Sequence, residues 1–424
     1  MKGRYSIVFI VGLLVIFTPH NSAAQFWKRW SKKHKHPATD SAVVKKTVAQ
    51  AKKKTGIEYP PTQFKTRYRM DLLAPLYLDE LVADNKPANN GKVPEKASAG
   101  VEFYKGMKLA ADTLNKLNYF IDLYVHDVAD SFKGIDNLIN TGELAHSDLI
   151  AGLLQSKDLP QLANYARSKR INFISALSPS DAGISDNPYF TLLQPTLQSH
   201  CERIKETLIK HYPKKIIHLF YHNSAGADET AYNYFSKNEE GINFNKVNFD
   251  GDFVPGQLKP VLDSVQVNVI VMTFFEIGYA EKVLNRLEQE FPSYQFEVYG
   301  MPSWKSMSAL HKKESLPNIT VNVSEPFYFE HSAKQIRYIE RMYRKEFGGK
   351  PGELVFRGYE TFVWYADLLK KYGSIFNAKM SDNSAAPFTK FQVKPVWDKN
   401  LDLLYNENRH VYLYKYHNGV ATLE

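Results

Sequence analysis

The chain has 424 residues, of which 44% are hydrophobic and 13% aromatic, so it is long enough for two packed domains and too apolar to be mainly disordered. Its 54 Lys and Arg residues outnumber its 45 Asp and Glu residues. This excess of positive charge would indicate a nucleic-acid or membrane partner only if the basic residues were spread over the folded part of the chain. The single cysteine, Cys201, excludes an intrachain disulfide framework and a cysteine-based zinc site.

The positive charge is concentrated at the amino terminus. The first 68 residues contain 14 Lys and Arg residues but only two acidic ones, Asp40 and Glu58, whereas the rest of the chain has 40 basic and 43 acidic residues. Because the folded part is therefore nearly neutral, we predict no nucleic-acid partner for it.

A secretory signal peptide is predicted over residues 1–24. Lys2 and Arg4 precede an apolar run from Ile7 to Phe17, and Ser22-Ala23-Ala24 supplies the small residues of a cleavage site. The run is short for a bilayer core of about 30 Å, which favours cleavage over retention as a membrane anchor. No cysteine follows it, so a lipid anchor is not expected, and we predict a soluble protein that is periplasmic or secreted.

Residues 25–67 are polar and lysine-rich and are predicted to form a flexible basic linker. A solvated linker without a specific partner is the favoured interpretation, and contact with an anionic envelope polymer is the alternative. His34 and His36 are not expected to bind a metal, because the neighbouring lysines repel cations.

From residue 69 onward, short apolar runs alternate with amphipathic stretches of helical period. The predicted strands are 70–77, 119–125, 148–154, 171–177, 215–221, 244–249, 267–273, 295–300 and 318–323. The predicted helices are 99–117, 131–140, 158–168, 197–211, 227–237, 256–264, 277–290, 331–347 and 354–371, followed by a β-structured tail from residue 388. This alternation predicts an α/β protein of two doubly wound, Rossmann-like lobes, with a ligand site in the cleft between them.

The sequence contains no motif of a catalyst. A glycine-rich strand-to-helix fingerprint, a Walker loop and a nucleophile elbow are all absent from it. We therefore predict no enzymatic activity, no catalytic residues, no cofactor and no metal site. Cys201 is expected to be a structural cysteine within a helix.

The loops that follow the predicted strands are rich in hydroxyl, amide and aromatic side chains, which suits recognition of a small polar molecule. The alternative is that these polar residues cap the helices that follow. The candidate ligand-binding residues are Gln155, Ser156, Ser178, Ser180, Asp181, His222, Asn223, Phe275, Glu276 and Trp304.

Several segments resemble the type I periplasmic binding proteins, the group that includes the leucine/isoleucine/valine-binding proteins. Residues 99–112 resemble the first helix of that family, and Ile150-Ala-Gly-Leu-Leu-Gln-Ser resembles its strand that ends at a ligand-binding serine. Residues 171–181, followed by Asn187-Pro-Tyr-Phe, resemble the strand and crossover that come next, and residues 351–373 resemble the late helix of the first lobe. The resemblance covers most of residues 69–372.

This resemblance implies two lobes joined by a hinge, the first made of 69–193 and 325–385 and the second of 194–324 and 386–424. It also implies that Ser156 and the 178–181 loop hold the polar end of a ligand. Where the amino-acid binders of the family carry an aromatic residue, this chain has Ala225-Gly226-Ala227.

A second departure concerns the acidic residue that binds the ligand's amine in the family. This chain has Pro302-Ser303 at that place, and Glu276 is the nearest substitute in a neighbouring loop. An α-amino acid is therefore one ligand class among several that the sequence leaves open.

The function predicted from these features is that of an exported solute-binding protein that closes on a small polar ligand, an amino acid or a related compound, for uptake through a membrane permease or for sensing. The alternative is an envelope interaction or scaffold protein of the same fold, whose residues 25–67 contact cell-wall or membrane polymers. An enzyme of sugar or nucleotide chemistry is the third hypothesis, and it lacks an evident acid/base pair in the sequence.

Overall fold

The computed structural model describes residues 57–83, 86–87, 93–129, 134–223, 225–249, 255–330 and 333–424. The predicted signal peptide and most of the predicted basic linker lie outside these ranges. Within them, no helix is both long and apolar enough to cross a membrane.

Sixteen strands and nine α-helices form the described part of the chain. The strands are β1 (Tyr68–Ala74), β2 (Val82–Ala83), β3 (Lys86–Pro87), β4 (Ile121–Asp127), β5 (Leu149–Gly152), β6 (Asn172–Ser175), β7 (Phe190–Leu192), β8 (Ile216–Tyr221), β9 (Asn243–Asn248), β10 (Asn268–Met272), β11 (Phe296–Gly300), β12 (Ile319–Glu325), β13 (Val393–Trp397), β14 (Leu403–Asn408), β15 (Tyr412–His417) and β16 (Val420–Leu423). The helices are α1 (Leu78–Leu81), α2 (Glu95–Lys116), α3 (Ile135–Asn140), α4 (Leu159–Lys169), α5 (Leu197–His211), α6 (Ala227–Lys237), α7 (Ile277–Glu290), α8 (Lys334–Phe347) and α9 (Glu353–Tyr372).

Two seven-stranded sheets organise the chain. The first has the order β13-β14-β7-β6-β5-β1-β4, and the second has the order β16-β15-β12-β11-β10-β8-β9. Most neighbouring strands are parallel, and the antiparallel pairs are confined to the late strands β13, β15 and β16 of the two sheets and to the short β2-β3 ribbon. The predicted fold class, two doubly wound α/β lobes, is confirmed.

The chain divides into two compact units, each built around one of these sheets. Among the described residues, the first unit comprises 57–194 and 329–408, and the second comprises 195–328 and 409–424. The sequence prediction placed 386–424 in the second lobe, but β13 and β14 extend the first sheet, where β14 runs parallel to β7. A strand's apolar alternation shows which face is buried and does not show which sheet it joins, which explains this difference.

Helix prediction succeeded where apolar periodicity was uninterrupted. The bounds of α5, α6 and α7 agree with the predicted ones. The predicted helix 256–264 was wrong, because the structure has only a single 3-10 turn at Pro255–Gln257 followed by irregular turns. Pro260 explains the failure, since proline lacks the amide hydrogen of a helix interior and disfavours helical geometry in the residue before it.

Helices α2 and α9 pack against each other in the first unit with unusually close backbones. A Cβ atom on Gly106 would lie 2.0 Å from the carbonyl oxygen of Val355, and one on Gly358 would lie 2.1 Å from that of Phe103. Only glycine permits this separation, because any side chain would force the two helices apart.

The segment 57–67 lies against the first unit, although the sequence prediction included it in the flexible linker. Thr62 donates a hydrogen bond to the carbonyl oxygen of Tyr372 at 2.7 Å, and Lys65 forms an ion pair with the buried Asp148 at 2.6 Å. The ring of Tyr59 packs edge-on against Tyr189, with 6.3 Å between centroids. These contacts give residues 57–67 defined positions on the unit.

Candidate functional site

The carboxyl ends of β5 and β6 bring two loops of the first unit together, because these strands are parallel neighbours in the sheet. Ser156 is half-buried and Gln155 is exposed in the turn that joins β5 to α4. Within the described residues, neither side chain makes a hydrogen bond to the protein. Asp158 occupies the N-cap position of α4 without a side-chain capping bond, and the hydroxyl of Ser156 does not cap this helix either.

The loop after β6 is held in shape by its own side chains. The hydroxyl oxygen of Ser178 accepts from the amide of Ser180 at 3.2 Å, and the hydroxyl oxygen of Ser180 accepts from the amide of Ala182 at 3.2 Å. Both serines are buried, with exposures of 5% and 7%. Each hydroxyl that accepts a hydrogen bond keeps its own O–H as a donor, so the two serines can brace the loop and still donate to an anionic group.

Asp181 ties this loop to the late part of the chain. Its carboxylate accepts from the amide of Gly183 at 3.0 Å and from the hydroxyl of Tyr405 at 3.1 Å. Ala182 and Gly183 both have positive φ angles, +52° and +74°, and the side-chain bonds of Asp181 support this tight turn. In this structure Asp181 acts as a brace of the loop.

A histidine–carboxylate pair lies at the carboxyl edge of the second sheet. His222, directly after β8, places Nε2 2.5 Å from Oδ2 of Asp228 at the start of α6. The imidazole stacks on the ring of Tyr279, with 5.0 Å between centroids and 21° between planes, and meets the ring of Phe274 edge-on at 5.1 Å. The other oxygen of Asp228 accepts from the amide of Phe275 at 3.2 Å. The pair therefore fastens the loop after β8 to the loop after β10.

Two further predicted residues lie in the loop after β10. Phe275 is half-buried, and Glu276 is the N-cap of α7, where its carboxylate accepts from the amides of Gly278 at 3.0 Å and of Tyr279 at 2.5 Å. The exposed Glu276 is thus used as a helix cap, the alternative that the sequence left open. Asn223 is exposed in the loop after β8.

Trp304 lies beneath these loops and is fully buried. Its indole N–H donates to the carbonyl oxygen of Phe274 at 2.6 Å, and the hydroxyl of Ser303 donates to that of Phe275 at 2.8 Å. Gly300 makes room for the indole, because a Cβ there would lie 2.1 Å from the ring. In this structure Trp304 supports the loops from inside the core.

The structure brings the predicted residues together in two groups, one for each unit. The first unit holds Gln155, Ser156, Ser178, Ser180 and Asp181 at adjacent strand ends, and the second holds His222, Asn223, Phe275, Glu276 and Trp304. Within the described residues, no group of three or more His, Cys, Asp or Glu side chains is arranged to hold a metal ion. The first group can donate hydrogen bonds to a polar or anionic group, and the second offers aromatic surface with one carboxylate-paired imidazole.

Sequence reasoning missed three residues that shape these groups. Asp228 lies in the first turn of a helix, where acidic residues are common because they stabilise the helix end, so nothing in the sequence distinguished it. Tyr279 lies in the first turn of α7, and its part in the cluster depends on the packing of α7 against the second sheet. Tyr405 forms a hydrogen bond with Asp181 although the two residues are 224 positions apart, and no local sequence pattern predicts such a contact.

Comparison with known proteins identifies the fold. The sequence matches no established family profile and no curated protein sequence. An ABC transporter substrate-binding protein from Desulfitobacterium hafniense aligns structurally over 84% of this chain and 100% of its own, with 15% identity and a TM-score of 0.52. A branched-chain amino acid ABC transporter periplasmic ligand-binding protein from Burkholderia xenovorans covers 84% of this chain and 94% of its own, with 14% identity and a TM-score of 0.52.

Full-length LpoA from Haemophilus influenzae is also similar in structure. It aligns with 87% of this chain at 13% identity and a TM-score of 0.53, while this chain covers 60% of LpoA. Together with the two seven-stranded, mainly parallel sheets, these likenesses show that the chain has the type I periplasmic binding protein fold. The resemblance predicted from the sequence is confirmed at the level of the fold.

Proposed function

We propose that this protein is an exported solute-binding protein and that its strand-end loops hold a small polar ligand, an amino acid or a related compound. The observation that carries the proposal is the set of serine hydroxyls at the carboxyl ends of β5 and β6, where ligands bind in open parallel sheets. Ser178 and Ser180 keep their O–H donors after bracing the loop, and Ser156 makes no hydrogen bond to other described residues.

The solved structures with this fold support the same role. Two of them are named as ABC transporter substrate-binding or ligand-binding proteins, one of them for branched-chain amino acids. By analogy, the partner would be a membrane permease that accepts the ligand. The analogy supports solute binding as the class of function. Which ligand is bound depends on the polar groups of this chain's own loops.

The aromatic residues at the carboxyl edge of the second sheet are a separate candidate surface, suited to an apolar group. His222 and Phe275 are partly exposed there, whereas Trp304 is fully buried and supports these loops from within the core. The exposed carboxylate of Glu276 already accepts two amide hydrogen bonds, which makes it a weak candidate for binding an amine. We therefore assign the polar contacts of the ligand to the serines of the first unit.

The test is a thermal-shift screen of the full chain against the twenty amino acids, short peptides and cell-wall fragments, followed by calorimetry on each compound that binds. A compound at 100 times its Kd should stabilise the protein by about 2.7 kcal/mol. Ser156→Ala should weaken that binding by about 1–3 kcal/mol because the hydrogen bond from its hydroxyl to the ligand is lost. A matched control is Ser168→Ala on α4, whose hydroxyl donates to the carbonyl oxygen of Tyr165. Absence of any stabilising compound would refute solute binding.

The envelope-interaction alternative is supported by the lysine-rich sequence before residue 57. Deleting residues 25–56 separates the two functions while keeping the contacts of Tyr59, Thr62 and Lys65 with the first unit. If the deletion abolishes capture on isolated cell envelopes and leaves ligand affinity unchanged, both functions are present and independent.

A further inference from the structure

A group of apolar side chains is exposed at the amino-terminal end of the first sheet, opposite to the strand-end loops. Leu117 and Phe120, in the turn between α2 and β4, are 63% and 40% exposed. Phe64, in the segment before β1, is 67% exposed. We call these three residues, together with Arg67, Lys116 and Lys370, the basal patch. A contiguous exposed apolar surface rimmed by polar residues is typical of protein or membrane interaction sites.

The turn presents Phe120 in a fixed and unfavourable conformation. Asn118 and Phe120 have φ angles of +60° and +55°, in the left-handed region that asparagine tolerates and a bulky residue normally avoids. The side chain of Asn115 holds the turn, because its amide donates to the carbonyl oxygen of Ile121 and its oxygen accepts from the amide of Ile121, both at 2.9 Å. The protein therefore maintains local strain in order to hold an aromatic ring at the surface.

Cationic side chains surround this ring. The guanidinium of Arg67 lies 5.5 Å from the centroid of Phe120, and the ammonium of Lys370 lies 5.9 Å from it. Lys370 also donates to the carbonyl oxygen of Asn118 at 3.1 Å. Arg67 is paired with Asp122 at 2.6 Å, whereas Lys370 and the exposed Lys116 have no carboxylate partner among the described residues. Two cations of the patch are thus available to an external anion.

Helix α8 extends the positive charge beyond the patch. It runs antiparallel to α2, since Lys108 on α2 pairs with Glu346 at 3.3 Å and Thr113 lies 3.9 Å from the sulfur of Met342. This register brings the start of α8 towards Lys116 at the end of α2. Exposed cations on this part of α8 form no ion pair within the described residues; they are Lys334, Arg337 and Arg341.

We propose that the basal patch binds the surface of a membrane containing anionic phospholipid. Leu117, Phe120 and Phe64 would enter the interfacial region, and the surrounding lysines and arginines would contact lipid phosphates. Reversible binding to such a surface requires both buried apolar area and attraction of cations to the anionic headgroups, and the patch supplies both. Its apolar residues stand on an exposed turn between cations, an arrangement that suits a bilayer surface better than a protein groove.

The positive charge of the residues before position 57 is consistent with an anionic membrane as the partner of the basal patch. The chain enters the first unit through residues 57–67, directly beside the basal patch, and the residues before them include the run Lys52-Lys53-Lys54. Each lysine close to an anionic bilayer strengthens binding by about fivefold. Because the strand-end loops lie at the opposite end of the sheet, ligand binding and membrane binding would not compete for the same surface.

The experiment places an environment-sensitive label at the patch in the full chain. Cys201 is the single native cysteine and is fully buried, so Leu117→Cys can be labelled with a nitrobenzoxadiazole dye. Val265→Cys is the matched control, since Val265 is an apolar residue of the second unit that is 90% exposed. Both proteins are titrated with vesicles of phosphatidylcholine alone and with vesicles that also contain about 30% phosphatidylglycerol, an anionic lipid that gives the bilayer a negative surface potential.

The expected result is a blue shift and a several-fold rise in emission at position 117 with the anionic vesicles alone, and neither change at position 265. The double substitution Lys116→Glu and Lys370→Glu should weaken binding to the anionic vesicles at least 25-fold, because two cations are lost and each contributes about fivefold. Unchanged thermal unfolding of that double variant shows that it is folded. An equal response at both labels, no response at position 117, or a response to a soluble anionic polysaccharide in place of vesicles would overturn the proposal.

Discussion

The buried carboxyl group of Glu360 should make the stability of the first unit depend on pH. Glu360 lies on α9 and is fully buried, and its two oxygens are 3.1 Å from the amide nitrogen and 3.0 Å from the hydroxyl oxygen of Thr389. Burial raises the pKa of Glu360 from 4.5 to about 8, against the opposing effects of the Thr389 hydrogen bonds and the nearby Arg357. At neutral pH this side chain is therefore mainly protonated in the folded protein.

The direction of the effect follows from proton binding. Between pH 4.5 and about 8 the folded state retains a proton that the unfolded state has lost, so the free energy of unfolding falls as the pH rises. The contribution is fully present below pH 4.5 and is lost above about pH 8. Raising the pKa from 4.5 to about 8 corresponds to about 5 kcal/mol across this window.

The assay compares the wild type with Glu360→Gln by urea unfolding at pH 5, 6.5 and 8, followed by tryptophan fluorescence. Trp364 lies one helical turn from Glu360 and stacks on Phe391 at 4.0 Å, so its emission reports on this part of the first unit. Glutamine cannot ionise, and the variant should lose most of the pH dependence and become more stable than the wild type at pH 8. The control Glu346→Gln, at an exposed position, should keep the wild-type slope. Equal pH dependence in wild type and Glu360→Gln would refute the reasoning.

Three further substitutions test the packing and the polar groups of the two units by urea unfolding. Asp71→Asn should lower the free energy of unfolding by about 3 kcal/mol, because it leaves the Arg69 guanidinium, 2.6 Å away, without its buried counter-charge; an effect below 1 kcal/mol would contradict this. Gly106→Ala should destabilise by about 3 kcal/mol, because the new methyl group meets the backbone of Val355, and a neutral effect would mean that α2 and α9 separate easily. Trp304→Phe should cost about 2 kcal/mol through loss of the indole hydrogen bond and of volume, and an unchanged midpoint would show that the indole is dispensable.

The sequence was sufficient to predict the architecture because the fold depends on periodic apolar patterns. The central strand β10 reads Asn-Val-Ile-Val-Met and is buried on both faces, and α7 has an uninterrupted apolar stripe, so both were predicted closely. Prediction failed for β7, which is only three residues long, and for the stretch around Pro260, where a single residue overrides the pattern. The sheet to which β14 belongs depends on contacts between distant parts of the chain, and these have no local signature.

The candidate site was predictable in place but not in detail. The strand-end rule located Ser156, Ser178 and His222 in loops at the carboxyl ends of their sheets. The same rule could not show that Trp304 is buried or that Glu276 caps α7, because a polar or aromatic residue in a loop can face inward, outward or along the backbone. Side-chain direction is decided by packing, and only the structure supplies it.

The hydrogen bond between Tyr405 and Asp181 bears on the order of events during biosynthesis. The loop after β6 is formed early in the sequence, yet one of its braces comes from β14, which is translated 224 residues later. The first sheet likewise gains β13 and β14 only after residues 195–328 of the second unit have been made. Contacts so distant in sequence slow folding, since the intervening chain must be ordered before they form. The loop after β6 of a nascent chain would therefore lack one of its braces until synthesis is almost finished.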